Sequence, residues 1–156
     1  MNSLHTEPTS EVLSVHDCWE YLRSASVGRL AVVTETGPEI FPVNYLPEDG
    51  TLIFRTGPGT KLEALAAAGT VAFEADGLNS YGTIAWSVVL KGTSETMPAD
   101  SAVAPDQDPS PWEEGIKDTL VRITPAEVTG RRFVVTSTPT HWWQPRNHAS
   151  STGPTD

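Results

Sequence analysis

The sequence is poor in several things, and each shortage narrows what the chain can be. It has one cysteine, Cys18, so no internal disulfide can form. No cation flanks that thiol to stabilise a thiolate, and its neighbours suit a helix interior. Basic residues are scarce: ten Lys and Arg stand against twenty Asp and Glu, a formal charge of −10. Phosphate backbones and anionic membranes need a basic face, so neither nucleic acid nor a membrane surface is an expected partner. No apolar run approaches the length that crosses a bilayer, and Met1–Glu11 lacks the basic start and apolar stretch of a signal peptide. A cytoplasmic protein is expected. Histidines number four and are scattered. His16, Asp17 and Cys18 are adjacent, but consecutive helical positions point apart, so one metal cannot take all three and no metal site is expected. No Gly-x-Ser-x-Gly and no internal repeat occurs.

What remains is a chain of 156 residues, enough for one domain with a core. Residues 1–12 are polar and irregular. Ser14 and Asp17 form a capping pair, and Val15, Cys18, Trp19, Leu22 and Ala25 recur at helical spacing. After Gly28 the pattern turns to strands: 29–35, then 39–46 beyond the turn Thr36-Gly37-Pro38, then 51–56 beyond the turn Pro47-Glu48-Asp49-Gly50. Pro42 lies inside the second of these and has no N–H for a ladder. It marks an edge, a bulge or a contact with something other than a strand, and Asn44 shares its face. Further strands are expected at 71–76, 84–91, 120–124 and 132–137, with a loop at 77–82. Residues 98–111 hold four prolines, three aspartates and no periodicity, an exposed loop; a short helix is expected at 112–118. The domain thus covers 13–138, followed by a tail at 139–156. Six or seven antiparallel strands with two or three short flanking helices make a mainly β, barrel-like domain.

The stretch Thr51–Leu65 is the one with readable chemistry. A strand ends at Arg55-Thr56, Gly57-Pro58-Gly59 turns, and Thr60 can cap a helix starting at Lys61. A helix that opens on free N–H groups suits an anion. Helix N-termini favour acids, yet Lys61 stands in the first turn with Arg55 facing it from the strand end. A phosphate between them would repay that arrangement through charge-assisted hydrogen bonds. The plainer alternative leaves both cations in water and the turn only a turn.

Four segments in register resemble the pyridoxamine 5′-phosphate oxidase-like flavin-binding split barrels. They are Ser26-Val27-Gly28-Arg29-Leu30-Ala31; Glu39-Ile40-Phe41-Pro42-Val43-Asn44-Tyr45; Phe54-Arg55-Thr56 with Thr60-Lys61; and Ala85-Trp86-Ser87-Val88 with Lys91-Gly92. The resemblance spans about residues 14–135. It implies a split β-barrel and a homodimer with flavin mononucleotide (FMN) in a cleft between subunits. It further implies that Phe41, Pro42, Val43 and Asn44 line the isoalloxazine ring, largely through backbone groups. Arg55, Thr56, Thr60 and Lys61 would clamp the ribityl phosphate, and Trp86 and Ser87 would approach the flavin, often across the interface. The implied activity is flavin-dependent oxidoreduction of a small-molecule substrate, with no conspicuous catalytic side chain. A non-catalytic flavin carrier or sensor and a deazaflavin-dependent reductase fit the same residues. Arg146-Asn147-His148 spells the Arg-x-His of the true oxidase but lies in the polar tail, a chance match. Trp142-Trp143 either stacks on a ligand or the other subunit, or packs on its own barrel. Arg131-Arg132 reads as a solvated pair, or Arg132 reaches a cofactor phosphate from the partner.

Overall fold

The structure is a computed structural model and describes residues 10–98, 100 and 119–135, the side chains of Thr60 and Leu62 excepted. Its first helix forms where the capping pair places it. Ser14 Oγ accepts from the Asp17 N–H at 3.1 Å, opening α1 (Val15–Arg23), and Cys18 and Leu22 are buried against the sheet. Eight strands are described: β1 (Ser10–Val12), β2 (Val27–Thr34), β3 (Gly37–Asn44), β4 (Leu46–Glu48), β5 (Thr51–Thr56), β6 (Val71–Leu78), β7 (Ile84–Pro98) and β8 (Thr119–Val134). The second helix, α2 (Thr60–Ala67), follows β5. All pairings are antiparallel, in the order β3-β2-β6-β7-β8-β5-β4, with β1 on β8.

The order explains the closure. β3 and β4 lie at opposite ends of the sheet, yet only Tyr45 separates them in the chain, so the sheet must curl until its two ends meet. Tyr45 occupies the seam and is 4% exposed. Its N–H donates to Ser26 C=O at 2.9 Å, and its hydroxyl donates to Leu22 C=O at 2.7 Å. Its ring meets Phe73 edge-on at 4.9 Å. Burial, with Glu74 nearby, pushes its phenol well above the usual range, so it stays a neutral donor. Leu30, Leu52, Phe54, Phe73, Val88, Leu90 and Ile123 fill the interior, each at most 1% exposed. This is the mainly β split barrel.

Several details depart from the expectations. Ser10–Val12, expected to be irregular, pairs with β8, and Glu11 binds Arg132 at 2.7 Å; residues 1–9 lie outside the described residues. Pro47 and Glu48 belong to β4 rather than to a turn; the turn is Asp49-Gly50, with φ of 47° and 72°. Two successive positive values form the tight hairpin turn that matches strand twist. The strands expected at 120–124 and 132–137 are one strand, β8, paired along all of β7. The partners shift from Lys91↔Glu127 to Gly92↔Pro125, which leaves Ala126 as the extra residue of a bulge. A bulge is where a strand tolerates a proline such as Pro125. Of the expected loop at 77–82, Gly77 and Leu78 are strand. The loop at 98–111, the helix at 112–118 and the tail with Trp142-Trp143 and Arg146-Asn147-His148 lie outside the described residues, apart from Pro98 and Asp100. Among the described residues no helix is long and apolar enough to cross a membrane.

Candidate functional site

The site candidates cluster along the seam. β3 is the last strand of the order, so one of its edges has no ladder partner among the described residues, which selects the edge from the three alternatives Pro42 left open. Its alternation is visible in burial. Phe41 packs against the core and Val43 is buried, whereas Ile40 and Pro42 are exposed on the outer face that Asn44 shares. Arg29 pairs with Pro42 on one side and with Glu74 on the other, so Pro42, Arg29, Glu74 and Val89 form one row across the outer face. Arg29 binds Glu74 at 2.8 Å and lies 3.6 Å from Asp76.

Opposite the free edge comes the strand-turn-helix. β5 ends at Thr56, which is 3% exposed; its hydroxyl donates to Gly57 C=O at 3.2 Å. That donor is therefore already used, which leaves the backbone around Thr56 as its contribution to a ligand. Gly59, not Thr60, is the N-cap of α2, at φ 140°, a value that only glycine adopts without strain. Lacking a side chain, Gly59 leaves the opening N–H groups uncapped by a hydroxyl. The first bond closes with Glu63 N–H on Gly59 C=O at 3.1 Å. Thr60 is thus the first helical residue rather than the cap. Glu63 shares the first turn with Lys61, so the helix end is not purely cationic.

Lys61 joins the two sides of the seam. Its Nζ lies 5.7 Å from the centre of the Phe41 ring, a cation–π distance. Lys61 and Arg55 are both half-buried rather than splayed into bulk water. The chain therefore brings a ring-lining candidate of β3 and a phosphate-clamping candidate of α2 together from opposite ends of the sheet. Further along β3, Asn44 carries an anomaly. Its Oδ1 is shielded from solvent and has no hydrogen-bond partner among the described residues. Such an atom costs about 1–3 kcal/mol when left unmade. An orphaned acceptor at a free strand edge suits a donor that the described residues do not supply.

Trp86 and Ser87 are not brought to this seam within one chain. Trp86 is 4% exposed and stacks on Tyr21 at 5.2 Å, its indole filling the room that Gly77 leaves across the strand pair. Ser87 points the other way, into a shallow groove with Val12, Val89, Thr129 and Arg131. It shares the outer face with Asn44 but stands three strands away, about 14 Å at usual strand spacing. Arg132 is engaged by Glu11, so its solvated-pair reading gives way to an ion pair. Cys18 is fully buried, and burial, then Asp17, raises its thiol above the ordinary value, which makes it inert.

One polar group escaped sequence reasoning. Arg122 of β8 buries its Nε without a partner among the described residues, while its Nη2 lies 3.4 Å from Glu48. The only signal was a cation in an otherwise apolar strand run, Leu120-Val121-Arg122-Ile123.

The chain is similar to proteins already known. A family model described as pyridoxamine 5′-phosphate oxidase matches residues 14–132. An uncharacterized protein of Mycobacterium tuberculosis is 38% identical over 122 residues, which cover 74% of this chain and 80% of that one. A crystal structure of a suspected pyridoxamine 5′-phosphate oxidase from Corynebacterium glutamicum is 35% identical, with a TM-score of 0.72 over 81% of this chain and 100% of that one. An FAD-binding protein from Mesorhizobium loti is 27% identical, with a TM-score of 0.69 over 83% of this chain and 100% of that one.

Proposed function

From a chain that belongs to the pyridoxamine 5′-phosphate oxidase family, we propose a flavin-dependent oxidoreductase that holds FMN at a homodimer interface and acts on a small molecule in the cytoplasm. The observation that carries this reading is the seam, where Lys61 of α2 sits over Phe41 of β3 and a solvent-shielded acceptor on Asn44 waits along the same strand. The residues present fit a flavin phosphate and ring. Arg55 and Lys61 supply positive charge, and the opening N–H groups of α2, Thr60 among them, supply neutral donors. The free edge of β3 from Phe41 to Asn44 offers a flat backbone wall to a planar ring, and the FAD-binding relative supports a flavin as the class of ligand.

When bound, the flavin supplies the chemistry by accepting and returning a hydride, so the protein's part is to bind, orient and keep one face dry. A site without a conspicuous acid or base is adequate for that work. The second subunit enters through the outer face, where Val33 and Ile40 are 75% and 67% exposed beside Ala31, Ala72 and Val89. Exposed aliphatics grouped on a sheet face suit burial against another copy. In that assembly Ser87 reaches the partner's cofactor rather than its own, while Trp86 supports that face from the core.

The purified protein is expected to be yellow, or to take up FMN at micromolar concentration and turn it over with NAD(P)H. A colourless preparation that ignores FMN sinks the proposal; uptake without turnover makes the chain a flavin carrier.

A further inference from the structure

The orphaned oxygen of Asn44 specifies what its ligand must present. A carboxamide oxygen accepts hydrogen bonds and never donates them. Every other buried side-chain acceptor among the described residues has a partner, so the unmatched oxygen of Asn44 is particular to this position. An oxidised isoalloxazine ring offers acceptors at N1, N5 and both carbonyl oxygens, but one donor only, the N–H at position 3 of its pyrimidine ring. We propose that Asn44 Oδ1 accepts from this N3–H and thereby sets both the orientation of the ring and the preference for an unsubstituted pyrimidine edge. The inference rests on the flavin reading above and deepens it.

The placement along β3 agrees with that orientation. Asn44 ends the strand, three residues beyond Phe41, about 10 Å at the usual rise. Lys61, the residue suited to the phosphate, lies at the Phe41 end. A flavin laid along this edge keeps its phosphate tail near α2 and carries its pyrimidine end toward Asn44. The opposite orientation would put the methylated benzene ring, which has no donor at all, against a shielded oxygen. N3–H is also present in both oxidation states. An acceptor there contributes to binding of oxidised and reduced flavin, whereas an acceptor at N5 would find a donor only in the reduced form.

The test compares FMN with its 3-methyl derivative by quenching of flavin fluorescence, on the wild-type chain and on Asn44→Ala and Asn44→Asp. Wild type is expected to bind FMN about tenfold more tightly than 3-methyl-FMN. Asn44→Ala should weaken FMN by a similar factor and no longer distinguish the two flavins. Asn44→Asp, which keeps the shape and the acceptor, should retain the discrimination. Equal affinity of wild type for the two flavins overturns the inference, as does an equal methylation penalty in wild type and Asn44→Ala. If wild type quenches neither flavin, the flavin reading itself has failed.

Discussion

Two flanks of this barrel are built to opposite specifications. Along one, β7 and β8 pair from Ile84↔Val134 to Pro98↔Thr119 with a single bulge, and β5 continues the sheet beyond them. Their inner side chains are sealed, and the strands approach so closely that a Cβ on Gly92 would stand 2.0 Å from the Thr124 carbonyl oxygen. Along the other flank, β3 ends the sheet unpaired on one edge, Pro42 withholds a donor, Asn44 keeps an oxygen unmatched, and a lysine reaches across from α2. The first flank has its ladder hydrogen bonds made, with Arg122 Nε its one unmatched buried side-chain atom among the described residues, and its volume filled, the usual source of cooperative stability. The second leaves polar groups unmade at a fixed place, which a protein tolerates where something else completes them. Stability and recognition are thus carried by different strands, and substitutions should separate them.

The largest effect is expected from Gly92→Ala. The colliding atoms are backbone, Thr124 O at 2.0 Å and Pro125 Cα at 2.7 Å, so no rotamer change relieves them and the two long strands must part at the bulge. A loss of about 3 kcal/mol or more in urea denaturation is expected, with any flavin binding lost only because the chain unfolds. Lys61→Ala should do the reverse. Its cation–π contact with Phe41 contributes about 0.5–1 kcal/mol, and its place at a helix N-terminus costs a similar amount, so stability should barely move. Affinity for FMN should fall tenfold or more, about 1.5–3 kcal/mol, because a charge-assisted phosphate contact is lost. If Lys61→Ala unfolds the protein, or leaves FMN affinity intact, the division between the flanks is wrong.

A third substitution tests the outer face. Ile40 is exposed in the single chain, so Ile40→Lys should leave its folding within about 0.5 kcal/mol. Buried against another copy, the same ammonium would be expensive, and the variant is expected to elute as a monomer by light scattering where wild type elutes as a dimer. A wild-type monomer would refute the proposed assembly.

The two flanks also differed in how legible they were. Local rules carried α1, because the Ser14–Asp17 cap and the Cys18/Leu22 spacing are contained in a few residues. Strict alternation carried β7, whose Trp86, Val88 and Leu90 are buried as their spacing requires. Prolines misled twice, for one physical reason: Pro38 and Pro47, both expected in turns, sit in β3 and β4, the end strands of the sheet, where a missing N–H does least harm. β1 was illegible because Ser-Glu-Val is polar and finds its partner through Glu11 and Arg132, 121 residues apart. At the site, the chemistry of Arg55, Lys61 and the edge position of Pro42 could be read from residue type. The Phe41–Lys61 contact could not, since it depends on the sheet closing. The orphan on Asn44 could not either, because it is defined by what the neighbours fail to offer.

The smallest effect belongs to Glu74, which stands between the two flanks on the outer face. Burial first, then the neighbouring Asp76, raises its carboxyl above the ordinary 4.5, against the opposing pull of Arg29. A carboxyl raised on folding holds its proton more tightly in the native chain than in the unfolded one. Its contribution therefore favours the native state at low pH and is lost as pH climbs from about the ordinary value through the raised one. Glu74→Gln, which cannot ionise, should remove that slope. At neutral pH the variant should be as stable as wild type or slightly more so, by well under about 1 kcal/mol, since Arg29 is half exposed and its ion pair with Glu74 is worth little. Urea midpoints of both chains on either side of the ordinary carboxyl value decide it. A variant less stable at neutral pH would mean that the Arg29 pair outweighs the burial, and that this part of the outer face is held by charge rather than left ready for a partner.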